Sequence, residues 1–189
     1  MNTGKGIKTR KDINTMKTEK NKILHINKAK GEDALQIIEY LNIVGGESDN
    51  LLFGANGFSM TVEAEEGFIE KLADAKASAL FTGKIGDEIV CVGSVMAEER
   101  ERIAHQAELA ISVKKKYWGQ GIGTRLMDTM IAFSRENGQT EILHLGVRAE
   151  NENAVKLYKK KGFIEVGRHK NFFKIDGKYH DEILMDLYL

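Results

Sequence analysis

The sequence predicts a mixed α/β fold, because segments with the periodicity of a strand alternate along the chain with segments that have the periodicity of a helix. Residues 23–28 alternate between apolar and polar side chains, as in a half-buried strand. Over residues 122–133, apolar side chains instead recur every three or four positions, as on the buried face of a helix. Two apolar runs on either side of Gly86-Asp87 predict a hairpin with a short turn.

The other elements are predicted from the same two periodicities. Further strands are predicted over residues 78–85, 88–96, 107–113, 141–147, 163–166, 172–175 and 182–189. Two helices are predicted before the hairpin, each with one apolar face. This face consists of Leu35, Ile38 and Leu41 in the first helix, and of Phe68, Ile69 and Leu72 in the second. Asn137-Gly138 ends the long helix, and Asn151 can cap a short fourth one. Residues 44–60 form a loop that either packs on the core or walls a substrate pocket.

Composition narrows the classes of protein to consider. The chain has 189 residues, so we assign residues 22–189 to a single domain and the polar, aperiodic residues 1–21 to a flexible tail. Its 28 basic residues balance 28 acidic ones, which argues against a nucleic-acid partner. No apolar run is long enough to span a bilayer, so no membrane partner is expected. Cys91, the only cysteine, lies in an apolar run, which predicts a buried thiol and a cytoplasmic location.

One stretch, residues 112–124, joins a predicted strand to the long helix through a loop that contains Gly119, Gly121 and Gly123. Glycines let the backbone turn tightly and let a ligand approach the amide groups. The first turn of a helix adds unpaired N–H groups and a positive dipole end, so the arrangement predicts a site for a phosphate-bearing ligand. The glycine spacing fits neither a P-loop nor a dinucleotide-binding fingerprint. A glycine-rich turn without a ligand is the alternative.

The same stretch, AISVKKKYWGQGIGTRLM, resembles the acyl-CoA-binding motif of the GNAT superfamily of N-acetyltransferases, Arg/Gln-x-x-Gly-x-Gly/Ala. Gly121 and Gly123 match its two small positions, whereas Trp118 stands where the family has Arg or Gln. A second block, NENAVKLYKKKGF, resembles the family's Asn-x-x-Ala-x-x-Leu-Tyr-x-Lys-x-Gly-Phe. The closing segment IDGKYHDEILMDLYL is similar to that of members related to ribosomal-protein, polyamine and phosphinothricin acetyltransferases. The resemblance covers roughly residues 23–189.

The resemblance implies a central, twisted, mostly antiparallel sheet of six or seven strands with helices on both faces. Two strands are expected to separate after Val113 and leave a cleft for the cofactor. That cofactor would be acetyl-CoA, and no metal is expected. A homodimer is a further expectation from the family.

The resemblance also implies which residues hold the cofactor. Ile111, Ser112 and Val113 would pair with its pantetheine amides as an added strand would. The pyrophosphate would lie on the glycine loop, and the cofactor's other side would face α-helical residues; the full set is Ile111, Ser112, Val113, Trp118, Gly119, Gln120, Gly121, Ile122, Gly123, Thr124, Asn151, Ala154 and Tyr158.

Acetyl transfer to an amine needs a stabilised oxyanion, a proton for the departing thiolate and a neutral amine. The resemblance assigns the first task to the N–H group of Val113 and the second to Tyr158, whose alternative role is that of a core aromatic residue. Glu108 is the first candidate for a base, His105 is the second, and a water-mediated base or none is the third. Alternation places Glu108 on the strand face opposite Ile111 and Val113 unless a bulge intervenes.

The expected function is therefore an acetyl-CoA-dependent N-acetyltransferase in which the amine attacks directly in a ternary complex. The acceptor candidates are a protein N-terminus, a Lys side chain, a polyamine or a small amino compound. A non-catalytic acyl-CoA-binding or regulatory module on the same fold is the alternative, since a fold does not fix a function. An interaction domain with an empty glycine loop is a third possibility.

Overall fold

The computed structural model describes residues 15–17 and 23–189, which form one eight-stranded sheet with helices on both of its faces. The strands are β1 (Thr15–Lys17), β2 (Ile23–Lys28), β3 (Ala79–Ile85), β4 (Glu88–Ala97), β5 (Gln106–Val113), β6 (Ile142–Arg148), β7 (Ile164–Ile175) and β8 (Lys178–Tyr188). The α-helices are α1 (Ala34–Gly45), α2 (Val62–Ala73), α3 (Ile122–Glu136) and α4 (Glu152–Lys160). The mixed α/β prediction is confirmed, with more strands than the predicted six or seven.

The additional strand lies in the segment that the sequence analysis assigns to the tail. Thr15–Lys17 pairs antiparallel with the start of β2 and forms one edge of the sheet. Three residues are too few to show a periodicity, which is why the sequence pattern misses them. The rest of the predicted tail lies outside the described residues.

The strands are arranged in the order β1-β2-β3-β4-β5-β6-β8-β7, and every neighbouring pair is antiparallel except β5 and β6. These two parallel strands pair only from Gln106↔Ile142 to Glu108↔His144. Beyond that point β5 follows β4 as far as Val113, and β6 follows β8 as far as Arg148. The strands therefore separate after Glu108, not after Val113 as predicted, because each stays with its antiparallel partner.

Two apolar cores cover the two faces of the sheet. The larger core contains α3 and α4, and in α3 the predicted residues Ile122, Leu126 and Met130 are almost fully buried. The smaller core contains α1 and α2 packed on β3 and β4. No helix in the described part of the chain is long and apolar enough to cross a membrane.

The inward face of α1 is not the predicted one. Leu35 is 53% exposed, and the helix buries Ile37, Tyr40 and Val44 instead. The helix carries two overlapping apolar stripes with the same spacing, so periodicity alone does not choose between them. In α2, Ile69 and Leu72 are buried as predicted, whereas Phe68 is 36% exposed.

Cys91 on β4 is fully buried, as predicted, and its neighbour across the sheet is a glycine. A Cβ atom at Gly83 would lie 2.3 Å from the Cys91 sulfur, so the missing side chain makes room for the thiol. Burial raises the pKa of this thiol to about 12. Cys91 is therefore a structural core residue.

Candidate active site

A cleft of about 600 Å³ opens where β5 and β6 separate. Its walls are the second half of β5, the glycine loop with the start of α3, and one side of α4. Most of the predicted site residues line it: Glu108, Ile111, Ser112, Val113, Trp118, Gly119, Gly121, Ile122, Gly123, Thr124, Asn151, Ala154 and Tyr158. Gln120 does not; its side-chain amide donates to the Lys116 carbonyl at 3.2 Å. His105 also lies outside this lining.

The free edge of β5 directs backbone polar groups into the cleft. Lys114, directly after β5, donates its N–H group to the Val90 carbonyl of β4 at 3.0 Å. Lys114 and Val90 are therefore a hydrogen-bonded pair at this end of the β4–β5 ladder. Hydrogen-bonded and non-hydrogen-bonded pairs alternate along an antiparallel ladder, so the backbone groups of Ile111 and Val113 face away from β4. That direction is toward β6, which no longer pairs with β5 there. An extended chain of amides inserted into the cleft would find the backbone groups of Ile111 and the N–H group of Val113 available, whereas the Val113 carbonyl already accepts from Trp118.

The glycine loop turns sharply before it enters α3. Gly119 and Gly121 have φ values of +76° and +77°, which side-chain-bearing residues rarely adopt. Gly121 is the N-cap of α3, and Arg125 N, which donates to Gly121 O, makes the first helical hydrogen bond. The N–H groups of Ile122, Gly123 and Thr124 precede that bond, and the first turn carries no acidic residue. This helix end is suited to bind an anion.

Trp118 contacts the end of β5 directly. Its indole Nε1 donates to the Val113 carbonyl at 2.7 Å, and the ring is 45% exposed at the cleft. The side chain that replaces the family's Arg or Gln thus joins the glycine loop to the strand that precedes it.

A charged cluster holds the turn that leads into the glycine loop. Glu88, at the start of β4, accepts hydrogen bonds from Lys114 at 2.9 Å, Lys116 at 3.1 Å and the Tyr117 hydroxyl at 2.9 Å. Partial burial would raise the pKa of Glu88, but these bonds outweigh it and hold the pKa at about 2. The β3–β4 hairpin therefore positions residues 114–117 through one carboxylate.

Glu88→Gln is expected to destabilise the fold by about 1 kcal/mol at neutral pH, a value reduced for partial solvent exposure. Because the folded-state pKa of Glu88 is lowered, its contribution is present above the ordinary value of 4.5 and is lost as pH falls toward about 2. Denaturant unfolding of both proteins between pH 7 and pH 2 measures this, and the difference should shrink with acidification. Asp87→Asn, at the exposed neighbouring residue, is the control. A difference that is constant with pH would contradict the assignment.

Tyr158 lies in the last turn of α4, with its ring against Phe163 at a centroid distance of 5.9 Å. Asn151 caps this helix by accepting from Ala154 N at 3.3 Å, as predicted. The Tyr158 hydroxyl makes no hydrogen bond to another described residue, and burial raises its pKa to about 12. The phenol therefore keeps its proton at neutral pH while it lines the cleft.

Glu108 lies on the other face of β5. The β4–β5 register runs without a shift, so no bulge turns Glu108 toward the side of Ile111 and Val113. Ser112 shares the face of Glu108 and accepts from the Tyr40 hydroxyl of α1 at 3.1 Å. Glu108 therefore lines the cleft from the α1 side of the sheet, whereas α3 lies on the opposite side.

Two residues on that side, Glu182 of β8 and Gly146 of β6, also line the cleft but were not predicted from the sequence. Glu182 is only 9% exposed. The only signal for Glu182 in the sequence is the alternation in EILMDLYL. This pattern predicts that Glu182 begins a strand, but it does not predict which residues face it.

The loop between α1 and α2 forms a wall of the cleft and also packs on the core, so the two alternatives for residues 44–60 are both observed in part. Glu47 and Leu52 line the cleft, and Leu51 additionally packs on the smaller core. Glu47 Oε2 accepts from Lys115 N at 2.6 Å, which ties this loop to the turn before the glycine loop. Among the residues that the structure describes, no three metal-ligating side chains converge.

The chain is similar to known acetyltransferases. A model of the acetyltransferase (GNAT) family matches residues 52–163. The chain is 28% identical to L-amino acid N-acetyltransferase AaaT of Escherichia coli over 61% of this chain and 72% of the relative. It is 30% identical to spermidine N(1)-acetyltransferase of the same species over 51% of this chain and 52% of the relative.

A solved structure of a GNAT-family acetyltransferase from Streptococcus pneumoniae superposes with a TM-score of 0.86 at 30% identity, over 88% of this chain and 99% of that one. The match to the family model covers more than half of the present chain and includes both motifs. The resemblance predicted from the sequence is thereby confirmed. The chain belongs to the acetyltransferase (GNAT) family, and it is an N-acetyltransferase that uses acetyl-CoA.

Proposed function

We propose that the chain transfers the acetyl group of acetyl-CoA directly to a primary amine while both substrates occupy the cleft. The observation that carries this proposal is the edge of β5 that no longer pairs with β6, where the N–H groups of Ile111 and Val113 face a cleft that Tyr158 also lines. The cleft thus combines the edge of β5, the N-terminal end of α3, which is suited to bind an anion, and the protonated phenol of Tyr158.

The cofactor would extend along one side of the sheet. Its pyrophosphate binds the N–H groups from Gly119 to Thr124, and its pantetheine amides pair with the backbone groups of Ile111. Asn151 and Ala154 of α4 line the opposite wall. The thioester then lies beside the second half of β5, in the cleft that Tyr158 lines.

The amine would approach from the α1 side and attack the thioester carbonyl carbon with its lone pair. The N–H group of Val113 stabilises the oxyanion of the tetrahedral intermediate. Collapse of the intermediate breaks the carbon–sulfur bond, and Tyr158 gives its proton to the departing thiolate. Tyr158 then recovers a proton from solvent.

Cofactor binding can be measured directly, because Trp118 is the only tryptophan of the chain and lines the cleft. Titration with acetyl-CoA is expected to change its fluorescence saturably, since the cofactor changes the surroundings of an indole that is 45% exposed. Desulfo-CoA, which keeps the pyrophosphate, should give a similar change. Adenosine, which lacks the phosphates, should give a much weaker one.

Turnover is tested by release of free CoA thiol with a panel of polyamines, N-terminal peptides, Lys peptides and amino acids. Acetylation of at least one primary amine supports the proposal. Saturable fluorescence titration without acetylation of any amine in the panel would contradict it and indicate a non-catalytic acyl-CoA-binding module instead.

A further inference from the structure

We infer that Glu182 is the catalytic carboxylate that binds the ammonium group of the acceptor and removes its proton, and that Gly146 is the positioning residue that makes room for it. This inference rests on the proposed function. It concerns a residue of the last strand, β8, whereas the residues considered as bases in the sequence lie on or just before β5.

The backbone of Glu182 is fixed from both sides. It pairs with Arg148 of β6 on one side and with His169 of β7 on the other. A side chain supported by two strands of a sheet is held in one place more firmly than one on a loop. Its carboxylate lines the cleft that Tyr158 and Glu108 also line.

The carboxylate lies directly over Gly146. A Cβ atom at Gly146 would be 2.1 Å from Glu182 Oε1 and 2.6 Å from its Cδ. No residue with a side chain could occupy position 146 without moving the carboxylate. The glycine thus acts as a recess in β6 that brings Glu182 to the point where β5 and β6 separate.

The carboxylate is also poorly compensated, although it is buried. It forms no hydrogen bond with any residue that the structure describes, and its ion-pair partner there, His169 Nδ1, is 3.9 Å away. Arg148, directly opposite on β6, is directed elsewhere: it contacts Glu150 at 3.1 Å, the Asp49 carbonyl at 3.3 Å and His180 at 3.2 Å. A carboxylate that faces a cleft without a protein donor is open to pairing with a cationic ligand.

The electrostatic surroundings fit a proton acceptor. Burial raises the pKa of Glu182, His169 opposes this with a smaller effect, and the negative charge of Glu108 adds the smallest effect, which again raises the pKa. Other titratable or charged groups on this face or on the adjacent loop are Glu47, His144, Arg148, His180 and Asp186. An acceptor that arrives as an ammonium ion would restore the charge balance beside two carboxylates.

Glu182 takes one proton from the ammonium and releases it to solvent, which leaves a neutral nitrogen whose lone pair forms the new carbon–nitrogen bond. The nitrogen then loses a second proton to the regenerated carboxylate. The thiolate gains the proton of Tyr158. Glu182 then releases its second proton to solvent and Tyr158 recovers one from solvent, so one proton is released overall for each acetyl group transferred.

Glu182→Gln keeps the shape and removes the charge. We expect kcat/KM for an active amine to fall by about 100-fold at pH 7, with the acetyl-CoA affinity from Trp118 fluorescence unchanged. The residual rate should rise about tenfold per pH unit, because it follows the neutral fraction of an amine whose pKa is about 10.4. Glu165→Gln, at an exposed carboxylate on β7, is the matched control and should retain wild-type kinetics.

Gly146→Ala is the second variant. It should lower kcat/KM to a similar degree by displacing the carboxylate, and the double variant should be no slower than Glu182→Gln alone. If the wild type is active and Glu182→Gln is equally active, this inference alone is overturned. The same holds if Glu182→Gln loses rate and acetyl-CoA affinity to an equal degree. A wild type that binds acetyl-CoA but acetylates no amine overturns the proposed function and this inference with it.

Discussion

Replacing Tyr158 with Phe is expected to lower kcat by about 100-fold to 10,000-fold, the range for loss of a positioned proton donor. The Kd for acetyl-CoA should stay the same, because the hydroxyl makes no hydrogen bond to a described residue and Phe keeps the ring contact with Phe163. Thiol release under saturating substrates measures kcat, and Trp118 fluorescence measures the affinity.

The control for this variant is Tyr179→Phe, which removes a hydroxyl from a side chain that is 59% exposed and lies outside the cleft lining. Its kinetics should match the wild type. If Tyr158→Phe turned over as fast as the wild type, Tyr158 would be only a core aromatic residue, the alternative that the sequence left open.

Val113→Pro is expected to lower kcat by about 100-fold to 1,000-fold, because it removes the N–H group proposed to stabilise the oxyanion. This N–H group faces the cleft, so the β4–β5 ladder keeps its hydrogen bonds. Proline is tolerated in a strand where its nitrogen faces an unpaired edge. The rate is measured by thiol release and the stability by thermal unfolding.

Ser112→Pro is the matched comparison, one residue away. The backbone of Ser112 faces β4, where it is paired with Val92, so proline there removes a ladder bond and should destabilise the fold markedly. If Val113→Pro unfolded as readily as Ser112→Pro, the assigned direction of the Val113 N–H group would be wrong. If it folded well and kept full activity, the oxyanion assignment would be wrong.

Much of the fold could be predicted because local periodicity coincided with tertiary burial. The alternation in Ile23–Lys28 and the apolar spacing in α3 each allow one solution, and both elements are observed. In α1, Leu35 and Ile37 belong to two apolar stripes with the same helical spacing. The stripe that contains Ile37 is the buried one, and it includes Tyr40, whose hydroxyl donates to Ser112. Such a choice depends on a partner 72 positions away in the chain, which a local pattern does not contain.

The cofactor half of the candidate site was predicted because its residues are contiguous. Gly119, Gly121 and Gly123 lie in one loop, and the block from Asn151 to Tyr158 lies in one helix, so short motifs contain them. The acceptor half is assembled from separate strands. The proximity of Gly146 and Glu182 follows from the β6–β8 register, which no motif records.

The burial of Cys91 has a practical consequence for every rate measured by thiol release. A reagent such as dithionitrobenzoate reacts with thiolates, and a fully buried thiol with a pKa of about 12 presents almost none at pH 8. The folded enzyme should therefore add no colour of its own to the signal from released CoA. Unfolding exposes the sulfur and restores ordinary reactivity, so one equivalent of reacting enzyme thiol in the blank would reveal a variant that has lost its structure.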